Sequence, residues 1–483
     1  MLFVPSSSDF LAILPEIILT VSAAALLLFS ISARPFKRYV GEITLFIIVV
    51  AGWARLTFPL PGKVWGGTIQ IDAVSSFVDL YILAAVFVCV WSAGPFLRRA
   101  EYEHTEFYSL LLLATVGAMV MASAVDALPL FLGLELLSLP LYALTAFLKR
   151  TSISLEAGLK YFVVGAFASA FVVYGLALLY GATGTTNLVA MGHAVRAMDG
   201  LNPLLALGLA GVVGGFAFKL ALFPFHSWAP DVWQGSPTPV TAFLSVVPKG
   251  AVLIALFRLV DGMDLLILSS RWLIVGSILA IGSQFLGNFA AIVQRDIKRM
   301  LAYSGIAHMG YAMVAVIVAG LDGGTGVLVY MSAYTLMNIG AFAVVAFFSI
   351  DEGEAHLISD LQAQGWHRPI PALALTICLF SLAGIPPLFG FTAKFMVFGA
   401  AVNGGFVWLA VIGVVNSLVS AFCYLRVVYV MYMKPESSIA TEFSPSFTLT
   451  AAAALTAVGV FVIGLYPTPI LTAARVAALN LVR

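Results

Sequence analysis

Along the chain, apolar runs of about 20 residues recur with little interruption, each long enough to cross about 30 Å of hydrocarbon at the rise of an α-helix. The runs are continuous rather than alternating in and out. Lipid offers the backbone no hydrogen-bond partners, so spanning helices are favoured over a β-barrel. The pattern predicts spans near residues 11–31, 42–60, 72–93, 107–124, 127–148, 155–181 and 203–226, followed by 239–260, 271–293, 300–320, 325–349, 370–398, 404–433 and 449–466. The expected fold class is an all-α polytopic membrane protein of about 14 transmembrane helices.

Two of these spans carry helix breakers. Pro224, with the following Pro237 and Pro239, interrupts one; Gly384, Pro386, Pro387 and Gly390 interrupt the other. Each break falls in the fourth helix of a five-helix block. An odd number of helices per block turns the second block upside down relative to the first, which is the inverted-repeat plan of many ion transporters. The expected organisation is three accessory helices in residues 1–100, a first repeat in 101–262, a second in 263–435, and a last helix in 436–483.

Composition adds that the bilayer is the solvent: 61% of the 483 residues are apolar and 10% charged, with a mean hydropathy of +1.05. No soluble domain is left over. A net charge of +1, without a basic tail or lipidation motif, gives no sign of nucleic-acid binding. Cys89, Cys378 and Cys423 lie singly in apolar runs and read as packing residues rather than metal or cluster ligands. Met1 to Phe10 lacks the basic region of a cleaved signal peptide, so the first run reads as a retained span. Arg34, Lys37, Arg38, Arg98, Arg99, Lys149, Arg150, Arg295, Lys298, Arg299, Arg368 and Lys434 fall in alternate loops, which the positive-inside rule assigns to the cytoplasm. The opposite loops and tails hold Lys63, Arg196, Arg271 and Arg483 among few others. Both termini are then expected outside.

The candidate chemistry lies in charges inside the apolar runs. Lys160, Lys219, Lys249 and Lys394 fall within spans, and Glu135 sits inside Leu-Gly-Leu-Glu-Leu-Leu. Each costs several kcal/mol unless paired or hydrated. Desolvation disfavours the charged form of both group types, so sequestered amines and carboxylates can exchange protons near working pH. Arginine holds its proton throughout, and only Arg426 reads as lying in a span, near the inner end. A static Glu135–Lys219 pair would explain two of the charges, but the lysines outnumber the anion. Lys160 lies near the inner surface and could snorkel. His226, two residues past Pro224, and His308, in Ile-Ala-His-Met-Gly, are further proton stations if a lysine path exists. Asp72 and Asp79, at the outer end of a span, read as hydrated or capping residues, and the neighbourhood of Tyr303 and Ser304 as helix packing.

From Phe218 to Lys249 the sequence Phe-Lys-Leu-Ala-Leu-Phe-Pro-Phe-His-Ser-Trp-Ala-Pro-Asp-Val-Trp-Gln-Gly-Ser-Pro-Thr-Pro-Val-Thr-Ala-Phe-Leu-Ser-Val-Val-Pro-Lys closely resembles the signature of the antiporter-like membrane subunits of proton-pumping NADH:quinone oxidoreductase, respiratory complex I. Leu-Ala-Tyr-Ser-Gly-Ile-Ala-His-Met-Gly-Tyr from Leu301 and Ser-Leu-Ala-Gly-Ile-Pro-Pro-Leu-Phe-Gly-Phe-Thr-Ala-Lys-Phe from Ser381 extend the resemblance over nearly the whole chain. Within that family it is most similar to the subunit N branch. Gly-Leu-Glu-Leu-Leu-Ser-Leu-Pro surrounds Glu135, Lys394 stands where the subunit M branch is expected to carry glutamate, and the long carboxyl-terminal helix of the subunit L branch is absent.

The resemblance implies Glu135 and Lys219 as an input pair, Lys249 as central relay, Lys394 as terminal group toward the outside, and His226 and His308 on a connecting water chain. One departure is Gln234, where the family more often has glutamate. The resemblance also implies neighbouring membrane subunits such as M, K and J in a bacterial inner membrane. NADH, FMN, iron–sulfur clusters and quinone would be held by partner subunits, since no phosphate loop, dinucleotide fingerprint, flavin motif or cluster spacing is present here. Two other readings stay open. A subunit of a multi-subunit sodium/proton antiporter would share the lysines, and a non-conducting scaffold would tolerate their neutral substitution.

Overall fold

The computed structural model describes residues 5–32, 39–58, 62–198, 202–263, 270–349, 357–435 and 446–479. Of the orienting basic residues, Arg34, Lys37, Arg38 and Arg483 lie outside the described residues, as does the side chain of Arg271.

Helices α1 (Ser7–Ala12), α2 (Leu14–Ser32), α3 (Val40–Thr57) and α4 (Ala73–Arg99) make up the stretch expected to hold the accessory helices. Next come α5 (Thr105–Ser123), α6 (Ala127–Thr145), α7 (Ser152–Thr183), α8 (Leu188–Arg196), α9 (Pro203–Lys219), α10 (Trp228–Gly235) and α11 (Thr238–Gly262). The rest of the chain supplies α12 (Ser270–Val293), α13 (Ile297–Val318), α14 (Gly320–Phe347), the short α15 (Gln364–His367), α16 (Pro369–Ala383), α17 (Phe389–Asn403), α18 (Val407–Met433), α19 (Phe447–Leu465) and α20 (Thr468–Leu479). Eleven described helices are long and apolar enough to span a membrane, and five shorter apolar helices accompany them, α9, α16 and α17 among these. The chain is a multi-pass membrane protein. It has two ends: a basic end, where Lys149, Arg150, Arg295 and Arg299 lie, and an opposite hairpin end.

Both expected interruptions are present. The first opens after Lys219 and runs through Pro224 to Ser227 before α10 resumes; the second separates Ala383 from Phe389. Pro237 and Pro239 do not break a helix but start one, in keeping with proline's fitness for the first turn of α11. Each break leaves the last carbonyls of a helix without helical donors at bilayer depth.

The all-α frame carries one small addition at the hairpin end. Gly62–Val64 pairs antiparallel with Ile69–Ile71 around Trp65, Gly66 and Gly67. Gly66 and Gly67 take φ of 68° and 83°, a region that suits glycine. Two strands of three residues each, between two spans, are too short to be read from an alternating pattern.

Burial is uneven along the chain. The hydrophobic windows of α11, α13 and α14 are 100%, 89% and 94% buried, against 39% for α7 and for α18. The former three form the centre of the molecule, and a helix apolar all round is stable only there or in lipid. Lys249 and Arg258 on α11 are thus removed from both water and lipid.

Candidate functional site

Lys219 is the last residue of α9, at the first break. Its Nζ donates to Ser138 Oγ at 2.8 Å and Tyr142 Oη at 3.1 Å, and lies 5.5 Å from the Tyr142 ring centroid. Ser138 and Tyr142 follow Glu135 on α6 by three and seven residues, a spacing that puts all three on one helix face. Glu135 itself makes no ion pair with Lys219 among the described residues, and its Oε1 is buried without a hydrogen-bond partner. The expected input pair therefore shares a surface, with hydroxyls in the place a carboxylate would take in a salt bridge.

Lys249 is 1% exposed on α11. Its Nζ has no hydrogen-bond partner and lies 4.6 Å from the Trp233 ring centroid, so cation–π attraction is its evident stabilisation. Pro248, immediately before it, has no N–H, which leaves the Leu244 carbonyl without its helical donor. Gly305 on α13 makes room: a Cβ there would stand 2.9 Å from Lys249 Nζ and 2.8 Å from both Tyr334 Oη and the Trp233 ring. Ammonium, hydroxyl and indole converge on that glycine.

One turn further along α13, His308 continues the polar series. Its Nδ1 is 2.7 Å from Tyr330 Oη and its Nε2 3.2 Å from Tyr424 Oη, which in turn is 2.5 Å from Ser304 Oγ. The imidazole also packs against the rings of Tyr334 and Tyr311, at 5.2 and 5.8 Å between centroids. Tyr311 carries Lys394 Nζ over its face at 5.2 Å. Lys394 donates to Leu382 O and Ala383 O at 2.9 Å each and to Ser417 Oγ at 2.8 Å. The second break supplies this site, because it is the interruption after Ala383 that frees those carbonyls, and a helix carboxyl end favours a cation. An ammonium's three donors all find acceptors at Lys394, and none does at Lys249.

Two expected stations stand apart. His226 stacks on Phe223 at 6.1 Å within the first break, partly exposed, with a buried Nδ1 that has no partner and no contact to either neighbouring lysine. Lys160, expected inside a span, has a side chain 42% exposed and pairs with Glu156 at 2.7 Å and Asp231 at 2.8 Å. It lies two turns into a 32-residue helix that overshoots the bilayer, and the snorkelling alternative describes it.

The matched family is described as NADH:quinone oxidoreductase/Mrp antiporter, transmembrane, over residues 124–420. A relative named NADH-quinone oxidoreductase subunit N from Trichlorobacter lovleyi is 41% identical, the alignment covering 96% of each chain. The chain belongs to the subunit N family. Respiratory complex I from Thermus thermophilus contains a chain similar to it at 34% identity and a TM-score of 0.82, covering 96% of this chain and 100% of that one. A chain of the Mrp complex from a Dietzia species, at 21% identity and a TM-score of 0.84 over 98% and 97% of the chains, shares the fold.

Several features of this family member escape a reading of the sequence. Arg426 is not alone in the spans, because Arg55 and Arg258 also lie in them and are buried. Their helices end two to four residues later, which is why hydropathy alone places them at a boundary. Arg426 behaves as expected, donating to Ile292 O and Gln294 O at the basic end. Asp72 does cap α4, accepting from Ser75 N at 2.7 Å, but also takes Arg258 Nη2 on both oxygens at 2.8 and 2.9 Å. Asp79 is shut off from bulk solvent, fully buried and paired with Arg55 at 2.7 Å. Ser304 does more than pack, through its contact with Tyr424.

Gln234 also finds its explanation. Its Oε1 accepts from Arg299 Nη1 at 3.0 Å while its Nε2 donates to Asp296 Oδ2 at 3.2 Å. An amide can do both, whereas a carboxylate could serve only the arginine. Among the described residues no group of three His, Cys, Asp or Glu could hold a metal ion.

Proposed function

We propose that the chain is the proton-translocating, non-redox membrane-arm subunit of a bacterial NADH:quinone oxidoreductase, a translocase that carries protons from cytoplasm to outside through Glu135, Lys219, Lys249, His308 and Lys394. The observation that carries this reading is Lys249: an amine in the buried centre, without a hydrogen-bond partner, next to a hydroxyl and imidazole series that ends at Lys394. A fixed structural cation would be expected to have acceptors or a carboxylate. In this scheme the basic end faces the cytoplasm of an inner membrane and the two five-helix blocks act as inverted halves, Lys219 serving the first and Lys394 the second.

Coupling is electrostatic in this reading. Moving the Glu135 carboxylate away from Lys219 removes an anion that favours the ammonium, so the proton passes on toward Lys249. His226 and Lys160 then stand at the entrance rather than on the central path. NADH oxidation, FMN, iron–sulfur clusters and quinone reduction belong to partner subunits, with membrane neighbours of the M, K and J type. The sodium/proton antiporter alternative draws on fold likeness at 21% identity, whereas the oxidoreductase reading draws on relatives about twice as similar. Co-purification of flavin and iron–sulfur subunits with the chain separates the two.

The direct test is Lys249→Arg in the assembled complex. It keeps the positive charge and removes the ability to release a proton. NADH-driven acidification by membrane vesicles is expected to fall to near zero with assembly at wild-type level, and full pumping would sink the relay.

A further inference from the structure

The accessory helices contain a charged cluster that the lysine series does not use. Arg55 Nη2 on α3 bridges Glu16 Oε1 on α2 and Asp79 Oδ2 on α4, and Arg55 Nη1 donates to Ala12 O at 3.0 Å. The three side chains are 2%, 5% and 0% exposed for Arg55, Glu16 and Asp79. Glu16 Oε2 and Asp79 Oδ1 are buried with no hydrogen-bond partner. Two carboxylates therefore share one guanidinium in a buried place, and with all three ionised one negative charge is uncompensated. Burial of such a charge is costly, and two stranded oxygens add to the cost.

Among the described residues no neighbouring group supplies the missing positive charge. Asp72, at the start of α4, is occupied by Arg258 of α11. Asp9 on α1 is held by Ser6 and by Trp65 of the hairpin. The part of α5 from Phe107 to Ser123 carries no charged residue, and Arg475 on α20 is exposed. Arginine cannot adjust by losing its proton. A metal cation would require several oxygen ligands where only two free ones are present. A proton fits, because it neutralises the cluster and turns one bare oxygen into a donor for its surroundings.

We propose that Glu16 and Asp79 share one exchangeable proton over the fixed charge of Arg55, forming a protonatable site in the accessory helices separate from the lysine series. Glu16 and Arg55 each lie two residues from a helix terminus and Asp79 six, roughly 3 to 9 Å deep at the helical rise, so exchange occurs with the hairpin end of the molecule. The site does not depend on the relay assigned above.

The test uses the assembled complex and infrared difference spectra recorded between acid and alkaline pH. The wild type is expected to show a carboxylic-acid C=O band that bleaches on alkalinisation. Glu16→Gln and Asp79→Asn each leave Arg55 one carboxylate, so each is expected to assemble fully and to lose that band. An unchanged band in both variants overturns the proposal, as does thermal stability that follows sodium concentration at fixed pH instead of pH at fixed sodium. The double variant strands Arg55 and is expected to lower assembly severalfold, and wild-type assembly of the double variant would overturn the pairing on which the site rests.

Discussion

The lysines and the arginines of this membrane protein are equally sequestered and oppositely treated. Arg258 meets both oxygens of Asp72 and the carbonyl of Ala122, and Arg55 meets two carboxylates. Lys249 meets no hydrogen-bond partner, and Lys219 and Lys394 meet hydroxyls and carbonyls instead of carboxylates. The difference follows from chemistry. A guanidinium stays charged under all working conditions and needs an anion to be buried, whereas an amine can give up its proton and be buried neutral. Arg258 thus holds α4 to the central α11 and Arg55 holds α2, α3 and α4 together, while the lysines remain free to change state.

That contrast is broken most forcefully at Arg258. Replacing it with leucine leaves Asp72 buried and unpaired between α4 and α11, a loss of about 3–5 kcal/mol that would show as a steep fall in assembled complex. Lys249→Met strands no anion and is close in volume, so it is expected to cost under about 1.5 kcal/mol while abolishing pumping. Equal destabilisation by the two would remove the distinction between anchoring arginines and working lysines.

A smaller effect is expected one step along the polar series. Tyr424→Phe removes the hydroxyl shared by His308 Nε2 and Ser304 Oγ and leaves the rings in place. Losing one buried partner costs about 1–3 kcal/mol, and about 1.4 kcal/mol is tenfold in rate. Proton pumping per NADH oxidised, followed with a pH-sensitive dye in vesicles, should drop by about that factor. Tyr108→Phe removes a hydroxyl that, among the described residues, donates to Glu103 at the basic end, and is expected to leave pumping unchanged. A silent Tyr424→Phe would take His308 off the path.

How much of this could be read beforehand depended on whether the signal was local. Lysines at 219, 249 and 394 stand out because charge inside an apolar run is improbable without a reason, and Pro224 and Pro386 mark breaks through their own backbone chemistry. Ser138 and Tyr142 were within reach, since a three- and seven-residue spacing from Glu135 is visible on a helical face. Tyr330, Tyr334 and Tyr424 were not, because an aromatic in a membrane helix looks the same whether its hydroxyl meets a histidine or nothing. Asp79 and Arg55 misled for a different reason. Hydropathy places both near span ends where water is the default partner, and only the packing of α2, α3 and α4 shows that they are shielded from bulk solvent and meet each other.

The gentlest test of the contrast lies outside the spans, at a carboxylate held by neutral donors instead of an arginine. The Asp9 carboxyl, on α1 outside the spans, is held below the usual carboxylate range, first by the Ser6 hydroxyl and then by the backbone N–H groups of Ser6 and Trp65. Because its folded value is lowered, its contribution to stability is present above the unfolded value of about 4 and fades as pH falls through the folded one. Asp9→Asn loses that contribution at neutral pH, so the variant complex should melt slightly below wild type from pH 7 down to pH 5. The gap should close under acid conditions, as the wild-type carboxyl takes up its own proton. A gap that widened on acidification would mean that Asp9 is stabilised in its protonated form, and that this carboxylate outside the spans follows the rules of the Glu16–Asp79 pair.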